Sequence, residues 1–294
     1  MKYYSPFSRR QVLKSSAALL GTAAVAPWRF ALANGSEKSY PIGVCDWSIN
    51  QLGEVEALAM ADEIGLDGVQ VSLGTSANNM HLRQKAVQQA YRKAAEKHKV
   101  RISSLAIGEL NQVPYKSEPQ TETWVRDSID VARAMECPVV LLAFFNKGDL
   151  KGDEAGQQEV IRRLRKVAPR AEDAGVTLGI ESWLSADEHL AIIEAVGSPN
   201  VRVYYDVANS HKMGYDIYEE MARLGSAYIC EVHMKENDHL LGQGEVDFER
   251  VGRILDDMNY RGWVVIEGAW PNGMDLLETY KANNRYLRKV INKS

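Results

Sequence analysis

The sequence predicts an α/β protein built as a single (β/α)8 barrel, and three observations support this fold class. Short runs rich in β-branched residues alternate eight times with amphipathic segments. The alternation fills about 250 residues, the usual size of an eight-stranded barrel. Composition is uniform from residue 41, after a polar linker at 34–40, to residue 294, which favours one domain. A doubly wound open sheet is the alternative, but no G-x-G-x-x-G loop follows the first run.

Each predicted strand is a short run in which apolar and β-branched residues predominate. The runs are IGVCDWSI (42–49), DGVQVSL (67–73), RISSLAIGE (101–109), PVVLLAFF (138–145), VTLGIES (176–182), VRVYYDVAN (201–209), AYICEVHMKE (227–236) and GWVVIEGA (262–269). The segments after them place apolar residues at i, i+3, i+4 and i+7, the spacing of an amphipathic helix. Several of these helical segments end at a glycine, as at Gly65, Gly175 and Gly197.

The first 33 residues are predicted to be an export signal that precedes the barrel. Arg9 and Arg10 come before the apolar run SSAALLGTAAVA, and the tripeptide Ala-Leu-Ala at 31–33 suits cleavage by a signal peptidase. This pattern resembles a bacterial twin-arginine signal. A membrane anchor is the alternative, but the apolar run is shorter than the ~20 residues that a span needs. We therefore expect the twin-arginine machinery to export the protein to the periplasm or beyond.

The charge of the chain argues against two classes of partner. The chain of 294 residues has a formal net charge of −4; its first 33 residues contain five Lys or Arg and no acid, so the remaining 261 carry −9. Nucleic acids and anionic membranes require a basic surface, which this charge does not provide. No segment beyond the signal is apolar for long enough to span a bilayer. Cys45, Cys137 and Cys230 fall in or beside predicted strands, so we expect buried free thiols.

The fifth to eighth predicted strands each end in an ionisable side chain. These side chains belong to Glu181, Asp206, His233 and Glu267. The carboxyl ends of barrel strands share one face, where such barrels build active sites, so the four groups should meet there. Three buried carboxylates repel one another unless a cation lies among them. Three carboxylates and one imidazole suit Mn, Mg or Co, and the imidazole also admits Zn. The sequence therefore predicts a site for one divalent metal.

Alternation within the strands directs these side chains into the barrel. In the fifth strand, Glu181 lies on the face opposite the apolar valine, leucine and isoleucine. In the seventh, His233 shares its face with Lys235, which we therefore predict to lie near the substrate. The alternative for Lys235 is a salt bridge to Glu231 or Glu236.

The motifs GIES, YYDVAN, EVHMKE, GQGEVDF and VVIEG occur in this order over about residues 41 to 290. In this the chain resembles the xylose-isomerase-like superfamily of barrels, in its sugar isomerase and epimerase branch. The resemblance implies that the four strand-end residues bind one divalent metal, often Mn²⁺, and that Glu181 and Glu267 also act as acid and base. One carboxylate would remove a proton beside a sugar carbonyl, and the other would return one. Barrels of this branch often form homo-oligomers.

One position departs from the pattern of that branch. Many members carry a histidine three residues after the metal-binding aspartate, where this sequence has Asn209. Asparagine can hydrogen-bond a sugar hydroxyl but cannot transfer a proton, which puts the sugar or the exact reaction in question. Trp47, Trp183 and Trp270 follow or end predicted strands on the same barrel face. Aromatic rings there suit the apolar face of a pyranose, although each could instead pack at the rim.

We therefore predict a divalent-metal-dependent isomerase or epimerase that acts on a sugar or keto-sugar through an enediolate. One alternative keeps the metal and the enolisation but ends in elimination, as in a lyase that cleaves oxidised (3-keto) glycosides. Asn209 in place of histidine favours a reaction that departs from that of the branch in some such way. The other alternative is a non-catalytic sugar-binding barrel, against which Glu181 and Glu267 argue, because a binding protein does not need carboxylates on both sides of a substrate.

Overall fold

Eight parallel strands close into a barrel in the computed structural model of the chain, which describes residues 39–292. The strands are β1 (Ile42–Cys45), β2 (Gly68–Ser72), β3 (Arg101–Ile107), β4 (Val139–Phe144), β5 (Thr177–Ser182), β6 (Val201–Asp206), β7 (Ile229–Glu236) and β8 (Val264–Gly268). They pair in chain order, and β8 pairs with β1. The predicted (β/α)8 architecture is thereby confirmed. The predicted export signal lies outside the described residues.

Nine α-helices lie within residues 39–292. They are α1 (Ala57–Ile64), α2 (Lys85–His98), α3 (Pro119–Ala134), α4 (Glu154–Ala174), α5 (Ala186–Val196), α6 (Val207–Lys212), α7 (Ile217–Tyr228), α8 (Phe248–Asp257) and α9 (Leu276–Ile291). The sequence predicted one helix after each strand, and α6 is additional. It forms directly after β6 because the Asp206 side chain accepts hydrogen bonds from the backbone N–H groups of Ala208 and Asn209, at 2.9 and 2.8 Å.

The strands of the barrel are buried on both faces. On β8, Val264 and Ile266 belong to the large apolar core between sheet and helices, whereas Val265 and Trp263, which directly precedes the strand, form part of a separate cluster on the opposite face. The Trp263 ring lies so close to β2 that a Cβ on Gly68 would be 2.6 Å from it, so this position requires glycine. The alternation predicted for this strand is confirmed, and its inward face continues to Glu267.

Three further observations bear on the sequence predictions. Cys45 and Cys137 are buried, Cys230 is half-buried, and all three are free thiols. No helix in the described part of the chain is long and apolar enough to cross a membrane. His189 is buried on α5, where it hydrogen-bonds the Ser182 hydroxyl at 2.9 Å and the Ser185 carbonyl at 3.0 Å. Burial lowers the pKa of His189 to about 4, so it is a neutral structural residue.

Candidate active site

Four ionisable side chains converge at the carboxyl ends of β5 to β8. They are those of Glu181, Asp206, His233 and Glu267, called the carboxylate–histidine cluster below, and one ligand atom from each lies within 4.8 Å of the others. His233 Nδ1 faces all three acids. It is 3.1 Å from Glu181 Oε1, 3.4 Å from Glu267 Oε2 and 3.8 Å from Asp206 Oδ2. The imidazole is completely buried, Glu181 and Asp206 are 5% and 3% exposed, and Glu267 is half-buried.

Strand register brings the cluster together. Asp206 on β6 lies opposite His233 on β7, and Lys235, two residues further along β7, lies opposite Glu267 on β8. Because residues i and i+2 of a strand face the same way, His233 and Lys235 both point into the barrel. Glu181 completes the arrangement from β5.

The two carboxylate oxygens of Asp206 have separate roles. Its Oδ1 accepts the backbone hydrogen bonds that begin α6, which fixes the carboxylate plane. Its Oδ2 is buried, points into the cluster and has no hydrogen-bond partner among residues 39–292. Lys235 Nζ lies 3.4 Å and His233 Nδ1 3.8 Å from it, and a buried oxygen that these ion pairs leave without a hydrogen bond calls for a ligand. Together with the other oxygens and one imidazole nitrogen it forms a donor set that fits a divalent cation.

In the absence of a cation, protons balance the charge of the cluster. Burial raises the pKa of Asp206 to about 7, although Lys235 offsets part of the effect. Burial lowers the pKa of His233, but the carboxylates of Glu267 and Glu181 outweigh it and raise this pKa to about 9. Burial also raises the pKa of Glu267, yet Lys235 and His233 hold it well below its ordinary value. A metal ion would therefore displace protons from His233 and Asp206.

Lys235 and Trp47 hold Glu267 from two sides. Lys235 Nζ donates to Glu267 Oε2 at 2.9 Å and lies 3.4 Å from Asp206 Oδ2, while the Trp47 indole N–H donates to Glu267 Oε1 at 3.0 Å. The salt bridge of Lys235 to Glu231 or Glu236, considered from the sequence, is not among the ion pairs of the described residues. Lys235 instead neutralises the cluster itself.

A cavity of about 400 Å³ opens above the cluster. Glu181, Glu267 and Lys235 reach its wall, whereas Asp206 and His233 lie beneath it. Three more of the residues predicted to contact substrate also line this cavity: Trp47, Trp183 and Asn209. Trp270 does not, because it lies in a neighbouring cavity. The structure thus brings together all of the predicted site residues except Trp270.

The part of the cavity lining that β3 and β4 contribute consists of apolar and mostly small side chains. Ala106 on β3, with Leu141 and Ala143 on β4, forms its base, and Phe145 stands above them. The Phe145 and Trp183 rings meet edge to face, with centroids 5.3 Å apart. These two rings therefore support each other at the cavity wall.

Sequence reasoning missed Gln70, a buried residue on β2. Its Oε1 is 2.9 Å from His233 Nε2, and its amide nitrogen donates to Ser104 Oγ at 2.9 Å and to Tyr204 OH at 3.0 Å. An imidazole Nε2–H that donates to Gln70 leaves Nδ1 free to face the carboxylates, so Gln70 sets the tautomer and the ring orientation. The available signal was a lone glutamine inside an apolar strand, VQV.

Comparison with known proteins agrees with this architecture. Residues 58–290 match the model of the xylose isomerase-like TIM barrel family. The chain is 26% identical over 249 residues to L-ribulose-5-phosphate 3-epimerase UlaE of Salmonella paratyphi A, which covers 79% of this chain and 84% of that protein. It is 24% identical over 211 residues to 2-epi-5-epi-valiolone 7-phosphate 2-epimerase of an Actinoplanes species, covering 69% and 77%.

A solved structure shows the same fold. D-psicose 3-epimerase, crystallised in the presence of D-fructose, superposes with a TM-score of 0.72 at 17% identity, over 85% of this chain and 99% of that chain. The family match spans most of the barrel from α1 to α9 and all of the cluster. The chain therefore belongs to the xylose isomerase-like TIM barrel family.

Proposed function

We propose that the protein is a divalent-metal-dependent sugar epimerase or isomerase that acts through an enediolate. The observation that carries this proposal is that Glu181 and Glu267 belong to the carboxylate–histidine cluster and also reach the cavity above it. The epimerase relatives support the same reaction class. A divalent ion held by the cluster, with Mn²⁺ favoured and Mg²⁺, Co²⁺ or Zn²⁺ as alternatives, would polarise a substrate carbonyl.

The two glutamates would move the proton. One carboxylate takes the proton from the carbon next to the carbonyl, and the other returns a proton to the opposite face, which inverts the centre. The low pKa of Glu267, held down by Lys235 and His233, keeps this side chain ionised. Lys235 also presents ammonium N–H donors at the cavity wall, where the oxyanion would develop. Trp47, Trp183 and Asn209 would contact the sugar ring and its hydroxyls.

We further propose that the substrate carries no phosphate, unlike those named for the two curated relatives. Lys235 is the one cation among the described residues that line the cavity, and Glu267 and Asp206 already neutralise it. Glu109, also in the lining, adds negative charge and accepts hydrogen bonds from the backbone N–H and the hydroxyl of Ser76. A phosphate group would meet carboxylates there and no uncompensated cation among the described lining residues. A neutral sugar also suits an exported protein, the location that the N-terminal sequence predicts.

The test is proton exchange with solvent. The protein, loaded with Mn²⁺, is incubated in D₂O with free ketoses and with 3-keto-glycosides, and NMR follows deuterium at the carbon next to the carbonyl. We expect exchange together with an epimer or isomer, and a loss of at least a hundredfold in Glu181→Gln and Glu267→Gln. Metal content is measured in the same samples, and Glu245→Gln, at an exposed glutamate outside the cavity, is the control.

The products separate the alternatives. Exchange followed by release of the aglycone would identify the lyase, an outcome that Asn209 in the cavity makes worth testing. Sugar binding without exchange by the loaded wild type would leave a sugar-binding barrel and would overturn the proposal.

A further inference from the structure

A second cavity of about 350 Å³ adjoins the first. It lies above the ends of β7, β8 and β1, and it shares three lining residues with the first cavity: Trp47, Lys235 and Glu267. Those three side chains are linked by hydrogen bonds through Glu267, so the lining that the two cavities share is held in place. A ligand that fills the first cavity therefore has a second, preformed space beside it.

The second cavity presents an aromatic surface that is held in place. Trp270 is 39% exposed, and its indole N–H donates to the Met274 carbonyl at 2.8 Å. This bond closes the loop after β8 and uses the only polar atom of the ring, so the exposed part is apolar. A large ring that stays exposed but fixed is suited to stacking on a flat ligand.

Polar side chains surround this ring. Asn50, Asn237 and Asp238 line the cavity, and their side chains make no hydrogen bond to any other residue between 39 and 292. Lys235 is the one cation among the described lining residues, against the acids Glu236, Asp238 and Glu267. The cavity thus offers free amide and carboxylate groups and no surplus positive charge. Amides, a carboxylate and an aromatic face match the hydroxyls and the apolar face of a neutral sugar ring.

We propose that the second cavity is an accessory sugar subsite, so that preferred substrates have two rings. This inference rests on the proposed function, because the first cavity must hold the reacting ring. The neighbouring ring of a glycoside or disaccharide then stacks on Trp270, and its hydroxyls bond to Asn50, Asn237 and Asp238. A free monosaccharide fills only the first cavity and gains nothing from the second.

Calorimetric binding to the full chain loaded with Mn²⁺ tests this subsite. The ligands form matched pairs: D-fructose against the glucosyl-D-fructose disaccharides with a free anomeric carbon, and D-glucose against its glucosyl disaccharides. We expect at least one disaccharide to bind roughly tenfold more tightly than its monosaccharide. Trp270→Ala should remove that gain and leave monosaccharide affinity unchanged. Asn237→Ala should reduce it, and Met213→Ala, at an exposed methionine outside both cavities, should not.

Failure of the subsite and failure of the proposed catalytic function give different results. If no disaccharide binds more tightly than its monosaccharide, or if Trp270→Ala retains the gain, the subsite is overturned whatever the reaction. If the gain exists and depends on Trp270 but no sugar exchanges deuterium, the subsite stands and the proposed catalytic function fails.

Discussion

The two halves of the barrel differ sharply at the rim where the strands end. Towards the ends of β5 to β8 the inward residues are the charged carboxylate–histidine cluster and Lys235, whereas those of β1 to β4 are Cys45, Ser72, Ala106 and Ala143. Strand pairing even sets Glu181 directly against Ala143. One half therefore concentrates charge, and the other supplies small neutral side chains that leave space for a ligand.

The difference has an energetic reason. Buried carboxylates need protons, cations or hydrogen bonds. In the charged half, Lys235 and Trp47 therefore hydrogen-bond Glu267, and Gln70 hydrogen-bonds His233.

The half formed by β1 to β4, called the apolar half below, contains the buried carboxylate of Asp46, which Ser72 and Gly53 satisfy with hydrogen bonds. Its cavity lining is otherwise shaped by packing, as where Phe145 meets the ring of Trp183, which follows β5. We expect changes in the charged half to act on the metal and the reaction, and changes in the apolar half to act on substrate binding.

The largest effect should come from His233→Ala. Removing the imidazole deletes one ligand and leaves three acids without their central partner, so metal content should fall from about one ion per chain to none. Activity should fall about a thousandfold or more, since metal stabilisation supplies several kcal/mol. Plasma mass spectrometry after dialysis measures the metal, with His211→Ala, at an exposed histidine, as control. Retention of the ion by His233→Ala would contradict the ligand assignment.

Metal affinity should rise with pH. At pH 7 the metal-free His233, with a pKa of about 9, is mostly protonated, and Asp206, with a pKa of about 7, is about half protonated. A cation must displace these protons, so affinity should increase about tenfold or more per pH unit between pH 6 and 8 and level off above pH 9. Calorimetry in buffers of different ionisation enthalpy should count between one and two protons released at pH 7. A flat pH profile would refute this charge balance.

Gln70 connects the two halves, because it lies on β2 and orients His233. Replacing it with leucine removes the acceptor for Nε2–H and should weaken metal binding about 10- to 100-fold. Gln70→Glu keeps an acceptor and should restore most of the affinity. In the metal-free protein at about pH 10, above the His233 pKa of about 9, imidazole nitrogen shifts in NMR should show a loss of tautomer preference in the leucine variant alone. Equal metal affinity in all three proteins would make Gln70 a packing residue only.

The smallest effect should follow Phe145→Ala, in the apolar half. It removes the ring that supports Trp183 at the cavity wall, so KM should rise about three- to tenfold. Metal stoichiometry should not change, and the KM of Phe145→Leu should lie between those of the wild type and Phe145→Ala. Loss of the metal in Phe145→Ala would show that the two halves are not separate in function.

Much of this arrangement is local in origin and is therefore readable from the sequence. Alternation along a strand gives the inward face of β8, and parallel strands carry their last residues to one rim. Eight alternations and four ionisable strand ends were thus enough to predict the barrel and the cluster. A helix such as α6 was harder to foresee, since Asp206 had to serve both as helix cap and as cluster member.

What only the tertiary structure decided depends on distances between strands that are far apart in sequence. Gln70 meets His233 across 163 positions, and Trp47 meets Glu267 across 220. Lys235 could have paired with either glutamate beside it, but the register of β7 against β8 set it against Glu267. Trp270 follows a strand end just as Trp183 does, but the loop after β8 places its ring in the second cavity. The sequence by itself determined which strand faces and strand ends hold the ionisable side chains, because local alternation fixes the direction of each side chain. Closure of the barrel determined which of these side chains contact one another.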